Sequence, residues 1–167
     1  MVRKGHVMVW LLPVAILVAA GALSSSAMAA EPITGVASVI DGDTIEIHGE
    51  RIRLDAIDAP ESRQLCRQSD GTPWRCGQKS ALALADVMGR ATVRCEPRGH
   101  DRYRRVIAIC FKGETNLNAW MAEQGWAVAF RKYGLDYVTQ EDEARQNRRG
   151  VWQGEFDMPW DWRATNR

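Results

Sequence analysis

Between Asp41 and Glu61 the chain carries Asp41, Asp43, Asp55, Asp58 and Glu61, with Arg53 among them. A converging pair of carboxylates, completed by a backbone carbonyl and waters, makes an oxygen-only site for a hard cation, Ca2+ or Mg2+. A further carboxylate beside that pair can orient or deprotonate water, and a guanidinium can fork onto phosphate oxygens. Hydrolysis of a phosphodiester requires this combination: positive charge on the non-bridging oxygens and a base for the attacking water. Taken singly, Asp41-Gly42-Asp43 is an ordinary turn and Asp58-Ala59-Pro60-Glu61 an ordinary loop start. Together with Arg53 they point to Asp43 and Asp58 as cation ligands, Glu61 as the group acting on water, and Arg53 as a phosphate contact. A second guanidinium is on offer in Asp101-Arg102-Tyr103-Arg104-Arg105, a run that otherwise reads as a charged hairpin loop.

The elements that would position these groups follow from periodicity. From Thr34 to Ile57 apolar residues alternate at period two (Val36, Ile40, Ile45, Ile47, Ile52, Leu54), interrupted by Asp41-Gly42-Asp43 and His48-Gly49-Glu50. This predicts three antiparallel strands in a meander, which brings Asp43, opening the second strand, near Asp58 at the end of the third. A long loop follows from Asp58 to Cys76. Ala81, Leu84, Ala85 and Met88 then share one helical face, and Gly89 can end that helix. Strands over 91–96 and 104–111 come next. A helix capped by Thr115 or Asn116 follows, and a mostly charged helix runs from about Val138 to Arg149. Three strands, a helix, two strands and further helices define an α+β fold, a five-stranded oligonucleotide-type barrel (OB-fold) with added helices.

Arg3 and Lys4, an apolar run from Val7 to Leu23, and Ala27-Met28-Ala29 form the pattern of a secretory signal peptide over residues 1–29. Residues 30–167 are then one domain with an aromatic C-terminal tail, secreted or periplasmic, touching a membrane only through an uncleaved leader. Loss of Arg3 and Lys4 turns the formal charge of +1 into −1, so the strongly basic balance of many nucleic-acid binders is absent. Any attraction for nucleic acid must be local. An even set of cysteines, Cys66, Cys76, Cys95 and Cys110, reads in an exported domain as disulfides. Of the possible pairings, Cys66–Cys76 closes a local loop and Cys95–Cys110 crosses neighbouring strands, and these are favoured. Zinc is disfavoured because neither gap has C-x2-C spacing and His48 and His100 stand apart.

These residues resemble the staphylococcal nuclease family. The likeness lies in Val39-Ile40-Asp41-Gly42-Asp43-Thr44, in Arg53-Leu54-Asp55-Ala56-Ile57-Asp58-Ala59-Pro60-Glu61, in Asp101-Arg102-Tyr103-Arg104-Arg105, and in Gln124-Gly125-Trp126-Ala127, all in the family's order. It implies a barrel of that type and a calcium-dependent nuclease acting on DNA and RNA. By position, Asp43, Asp58 and the Ala59 carbonyl would bind Ca2+, and Asp41 would support them. Glu61 would be the general base, Arg53 and Arg105 would grip phosphate, and Arg102 and Tyr103 would contact a nucleotide. Ala59 stands where the best-known member has Thr, and Arg104 where the family usually has Gly. The link from Asp43 to Arg53 is shorter, and both disulfides are additions.

Tyr103, Phe130 and Tyr133 are candidates for stacking on bases, with closure of the core an equal reading for Phe130. Arg131-Lys132 could touch phosphates or simply face solvent, and Trp152, Phe156, Trp160 and Trp162 read as residues that lock the tail onto the barrel. The competing function is a non-catalytic barrel that holds single-stranded nucleic acid. Converging carboxylates speak against it, since without a cation they repel phosphate. An accessory role in polysaccharide processing has only the fold in its favour. Nothing in the sequence implies a stable protein partner, and a monomer is expected.

Overall fold

A computed structural model describes residues 1–2 and 30–166; the signal peptide read over residues 1–29 lies almost wholly outside them. The predicted meander is present but its first strand is split. β1 (Ile33–Val36) pairs antiparallel with β8 (Thr92–His100), whereas β2 (Ser38–Asp41) pairs antiparallel with β3 (Thr44–Ile47). β3 continues to β4 (Glu50–Leu54) through a two-residue turn with His48 and Gly49 both at positive φ, the geometry that suits a tight hairpin. β4 runs parallel to β9 (Val106–Lys112), and β9 is antiparallel to β8.

The path through the sheet is therefore β1-β8-β9-β4-β3-β2. Its two ends, β1 and β2, are separated in the chain by Ala37 alone, so the sheet has to curl until its edges meet. A Cβ added to Gly35 on β1 would lie 2.7 Å from Ile47 and His48 beyond β3, which shows how closely the curl brings them. The result is a five-stranded barrel with a bent first strand, the predicted fold. Alternation fills it: Ile45, Ile47, Ile52, Leu54, Val93, Val106 and Ala108 point inward and are buried.

α1 (Cys76–Met88) closes the barrel with Leu84 and Met88 and stops at Gly89, as predicted. α2 (Leu117–Glu123) starts at Asn116, whose side chain accepts the Ala119 N–H at 3.0 Å, and it buries Leu117 and Met121. Short strands complete the count: β5 (Ile57–Asp58) pairs with β11 (Val128–Ala129), β6 (Cys66–Arg67) with β7 (Pro73–Trp74), and β10 (Thr115–Asn116) with β9.

Several boundaries differ from expectation. β8 runs on to His100, because a bulge at Pro97–Gly99 absorbs the missing proline N–H. β9 begins at Val106, two residues late. α3 (Val138–Gln146) ends before Arg149, since the chain must turn to bring Gly150 against Gly125: Val151 N–H donates to the Gly125 carbonyl at 2.9 Å. The aromatic tail contains a helix the periodicity did not reveal, α4 (Pro159–Thr165), opened by Pro159. No helix among the described residues is long and apolar enough to cross a membrane.

Cys66 is joined to Cys76 and Cys95 to Cys110. The second bridge links residues directly opposite on β8 and β9. The first ties the loop after Glu61 to the start of α1. Constraining the unfolded chain makes each worth about 2–3 kcal/mol. A Cys66→Ala/Cys76→Ala double variant is expected to lose about that much in denaturant unfolding, and a loss below ~0.5 kcal/mol would show the loop to be held by packing alone.

Candidate active site

Arg53 leaves β4 on the face opposite the core residues Ile52 and Leu54, and its guanidinium bridges the two carboxylates predicted to converge. One arm donates to Asp43 and the other to Asp58 at 2.8 Å. Asp43 is 3% exposed and Asp58 is fully buried. The Asp43 carboxylate also accepts from the Thr44 hydroxyl at 3.0 Å and from the Ala59 N–H at 2.9 Å. Asp41 accepts the Asp43 backbone N–H at 3.1 Å. The turn is held tightly: a Cβ on Gly42 would lie 2.0 Å from the Ser80 hydroxyl on α1.

Burial pushes the Asp43 and Asp58 carboxyls above the ordinary carboxylate range, and the guanidinium groups around them pull the other way. The two carboxylates that one guanidinium draws together offer oxygen atoms alone, the ligand type that a hard divalent ion takes. Among the described residues no three His, Cys, Asp or Glu side chains gather closely enough to hold an ion by themselves.

Glu61 lies just beyond. Its backbone N–H donates to the Gln64 side chain at 3.1 Å, and buried Gln64 in turn donates to the Asp157 carbonyl at 2.7 Å. Gln64 therefore ties the Glu61 loop to the C-terminal tail. Arg105 enters from the start of β9: its Nε donates to Asp101 at 2.7 Å and its Nη1 to the Thr44 hydroxyl at 3.2 Å, which aims it at the same place as Arg53. Asp41, Asp43, Arg53, Ala59, Glu61, Arg102, Tyr103 and Arg105 all line one open cleft of about 1340 Å3, with Asp58 beneath its floor.

Arg104 is exposed, lies outside the cleft lining and sits at φ +67° in the turn, a conformation that favours glycine. Of the arginine pair, then, Arg105 faces the site. Tyr103 is 64% exposed with Arg102 4.7 Å over its ring. Phe130 does not close the core; it lines the cleft and stacks on Trp160 at 5.3 Å, with Tyr133 edge-on. Arg131 is engaged by buried Glu141, whereas Lys132 lines the cleft. Trp152 and Phe156 pack together against the Cys66–Cys76 bridge and so do lock the tail.

Sequence reasoning missed one charged group altogether. Arg163, on α4, donates to Asp58 at 2.7 and 3.0 Å and to Glu61 at 2.8 Å. Its only signal in the sequence is an arginine beside Trp162, which reads as an ordinary surface residue.

Buried carboxylates and converging arginines thus meet at one open cleft of a small barrel with added helices. The chain belongs to the staphylococcal nuclease family: the model of staphylococcal nuclease homologues matches residues 51–154. It is 43% identical to a succinoglycan biosynthesis protein, ExoI, of Rhizobium meliloti, over 83% of this chain and 74% of that one. It is 33% identical to a micrococcal nuclease of Shigella flexneri, over 79% and 80%. An uncharacterized endonuclease of Haemophilus influenzae is 32% identical over 79% and 73%.

Proposed function

We propose that the protein is a secreted or periplasmic calcium-dependent nuclease that hydrolyses phosphodiester bonds of DNA and RNA with little sequence preference. The observation that carries this reading is the bridging of Asp43 and Asp58 by Arg53, with Glu61 beside them and Arg105 aimed at the same point. Relatives named as nucleases, and an N-terminal pattern and two disulfides suited to an oxidising compartment, support it.

Asp43, Asp58 and the Ala59 carbonyl would hold the cation. When bound, the cation supplies positive charge to a non-bridging phosphate oxygen. Arg53 and Arg105 donate N–H groups to the remaining oxygens, where charge grows as water adds to phosphorus. Glu61 takes the proton from that water, the water oxygen bonds to phosphorus, and the opposite P–O bond breaks, its oxygen leaving with the electron pair and taking a proton from solvent. Phe130, Tyr133 and Tyr103 offer aromatic faces to unpaired bases, a sequence-tolerant contact.

Single-stranded DNA and RNA should be cut by the purified protein with Ca2+, and cutting should cease in EDTA. Strand binding without cleavage under Ca2+ or Mg2+ would leave the alternative, a barrel that holds nucleic acid. Because the Rhizobium relative is named for succinoglycan biosynthesis, an acidic polysaccharide belongs in the same panel. Its cleavage in place of nucleic acid would overturn the substrate class.

A further inference from the structure

The C-terminal helix puts a positive charge where a cation ligand is expected to work. Arg163 holds both oxygens of Asp58 and one of Glu61, and Trp160, one turn earlier on α4, anchors the helix by stacking on Phe130 with ring planes 6° apart. Gln64 and the Asp157 carbonyl fasten the segment leading into α4 to the Glu61 loop. Arg163 is thus held by packing and hydrogen bonds on both sides.

Charge gives this contact a consequence. In direct contact are three carboxylates, Asp43, Asp58 and Glu61, and two guanidinium groups, Arg53 and Arg163. These groups keep a formal excess of one negative charge, which one divalent cation turns into an excess of one positive charge. Without Arg163 the excess would be two, and the cation would only cancel it. A cation would then bind more tightly, but the loaded site would lose the positive charge that attracts a phosphodiester.

We propose that Arg163 is a built-in counter-cation of the carboxylate site: it positions Asp58 and Glu61, competes with the divalent ion for Asp58, and leaves the loaded site positive toward an anionic substrate. The inference takes Asp43 and Asp58 as cation ligands, as in the functional reading above. It extends that reading to the helix that regulates their affinity. By linkage, a cation that weakens the hold of Arg163 must be weakened by Arg163 to the same degree.

Calorimetric titration of the purified protein with Ca2+ alone tests this without any cleavage assay. Arg163→Gln should bind Ca2+ about tenfold more tightly than the parent, and Arg163→Lys, which keeps the charge, should stay within about threefold of it. Trp160→Ala, which frees α4 without touching the carboxylates, should shift affinity in the same direction as Arg163→Gln, and it serves if that variant folds poorly. In the parent, Ca2+ should speed amide exchange over residues 159–165. Equal or weaker Ca2+ binding by Arg163→Gln and Trp160→Ala, or no binding by any of the proteins, would overturn the proposal. If nucleic acid is not cleaved but these affinity shifts appear, the nuclease reading fails and the counter-cation stands. Where cleavage is measurable, KM should rise in Arg163→Gln more than kcat falls.

Discussion

Replacing Glu61 by Gln is expected to lower cleavage of single-stranded DNA in Ca2+ by about 10^2–10^4-fold, the range for removal of a positioned general base. The substitution keeps size and hydrogen bonding but removes the ability to take a proton from water. It should leave the fold intact, because the Glu61 side chain is about one-third exposed at 33%. What anchors the residue is its backbone N–H on Gln64, which the variant retains. The contact with Arg163 loses its charge, so cation affinity should fall slightly as kcat collapses. Thermal unfolding and Ca2+ titration beside the rate measurement separate these effects. A rate loss under about tenfold, in a folded protein that still binds Ca2+, would remove Glu61 from the role of base and leave it only an organiser of water.

Gly77→Ala should be nearly as damaging, through geometry alone. Gly77 is the second residue of α1, where alanine is ordinarily the better helix former by roughly 1 kcal/mol. Here a Cβ would stand 1.7 Å from the Glu61 carbonyl oxygen and 2.5 Å from its carbon. Both atoms are backbone, in a segment held by the Cys66–Cys76 bridge and by Gln64, so neither side can yield cheaply. Overpacking of this kind costs about 1–3 kcal/mol. The displacement falls on the residue proposed as base, and a shift of about 1 Å in such a group can cost ~100-fold in rate. The expected variant melts several degrees lower and cleaves about two orders of magnitude more slowly. An alanine variant at least as stable as the parent, with undiminished cleavage, would show that the loop moves freely away from α1.

These two expectations mark the division between local and long-range information. Alternation over Ile45, Ile47, Ile52 and Leu54 made the meander legible, and Ala81, Leu84, Ala85 and Met88 made α1 legible, because both patterns repeat within a few residues. Asp43, Arg53 and Asp58 could be brought together from sequence because a meander returns each strand beside its neighbour. The β6–β7 ribbon left no such trace. It is too short to show a period, and it is stabilised by a bridge between Cys66 and Cys76.

The sequence by itself determined the barrel, the carboxylate–arginine cluster and the family, since each is written in local pattern or in short motifs. Only the tertiary structure decided that the first strand divides between β8 and β3, that β4 lies parallel to β9, and that Arg105 rather than Arg104 enters the cleft. It alone set Gly77 against Glu61 and carried Arg163 some hundred residues along the chain to Asp58, a separation of 105. Such contacts depend on where packing folds the chain back on itself, and a lone arginine in a tryptophan-rich tail carries no periodicity from which that return could be read.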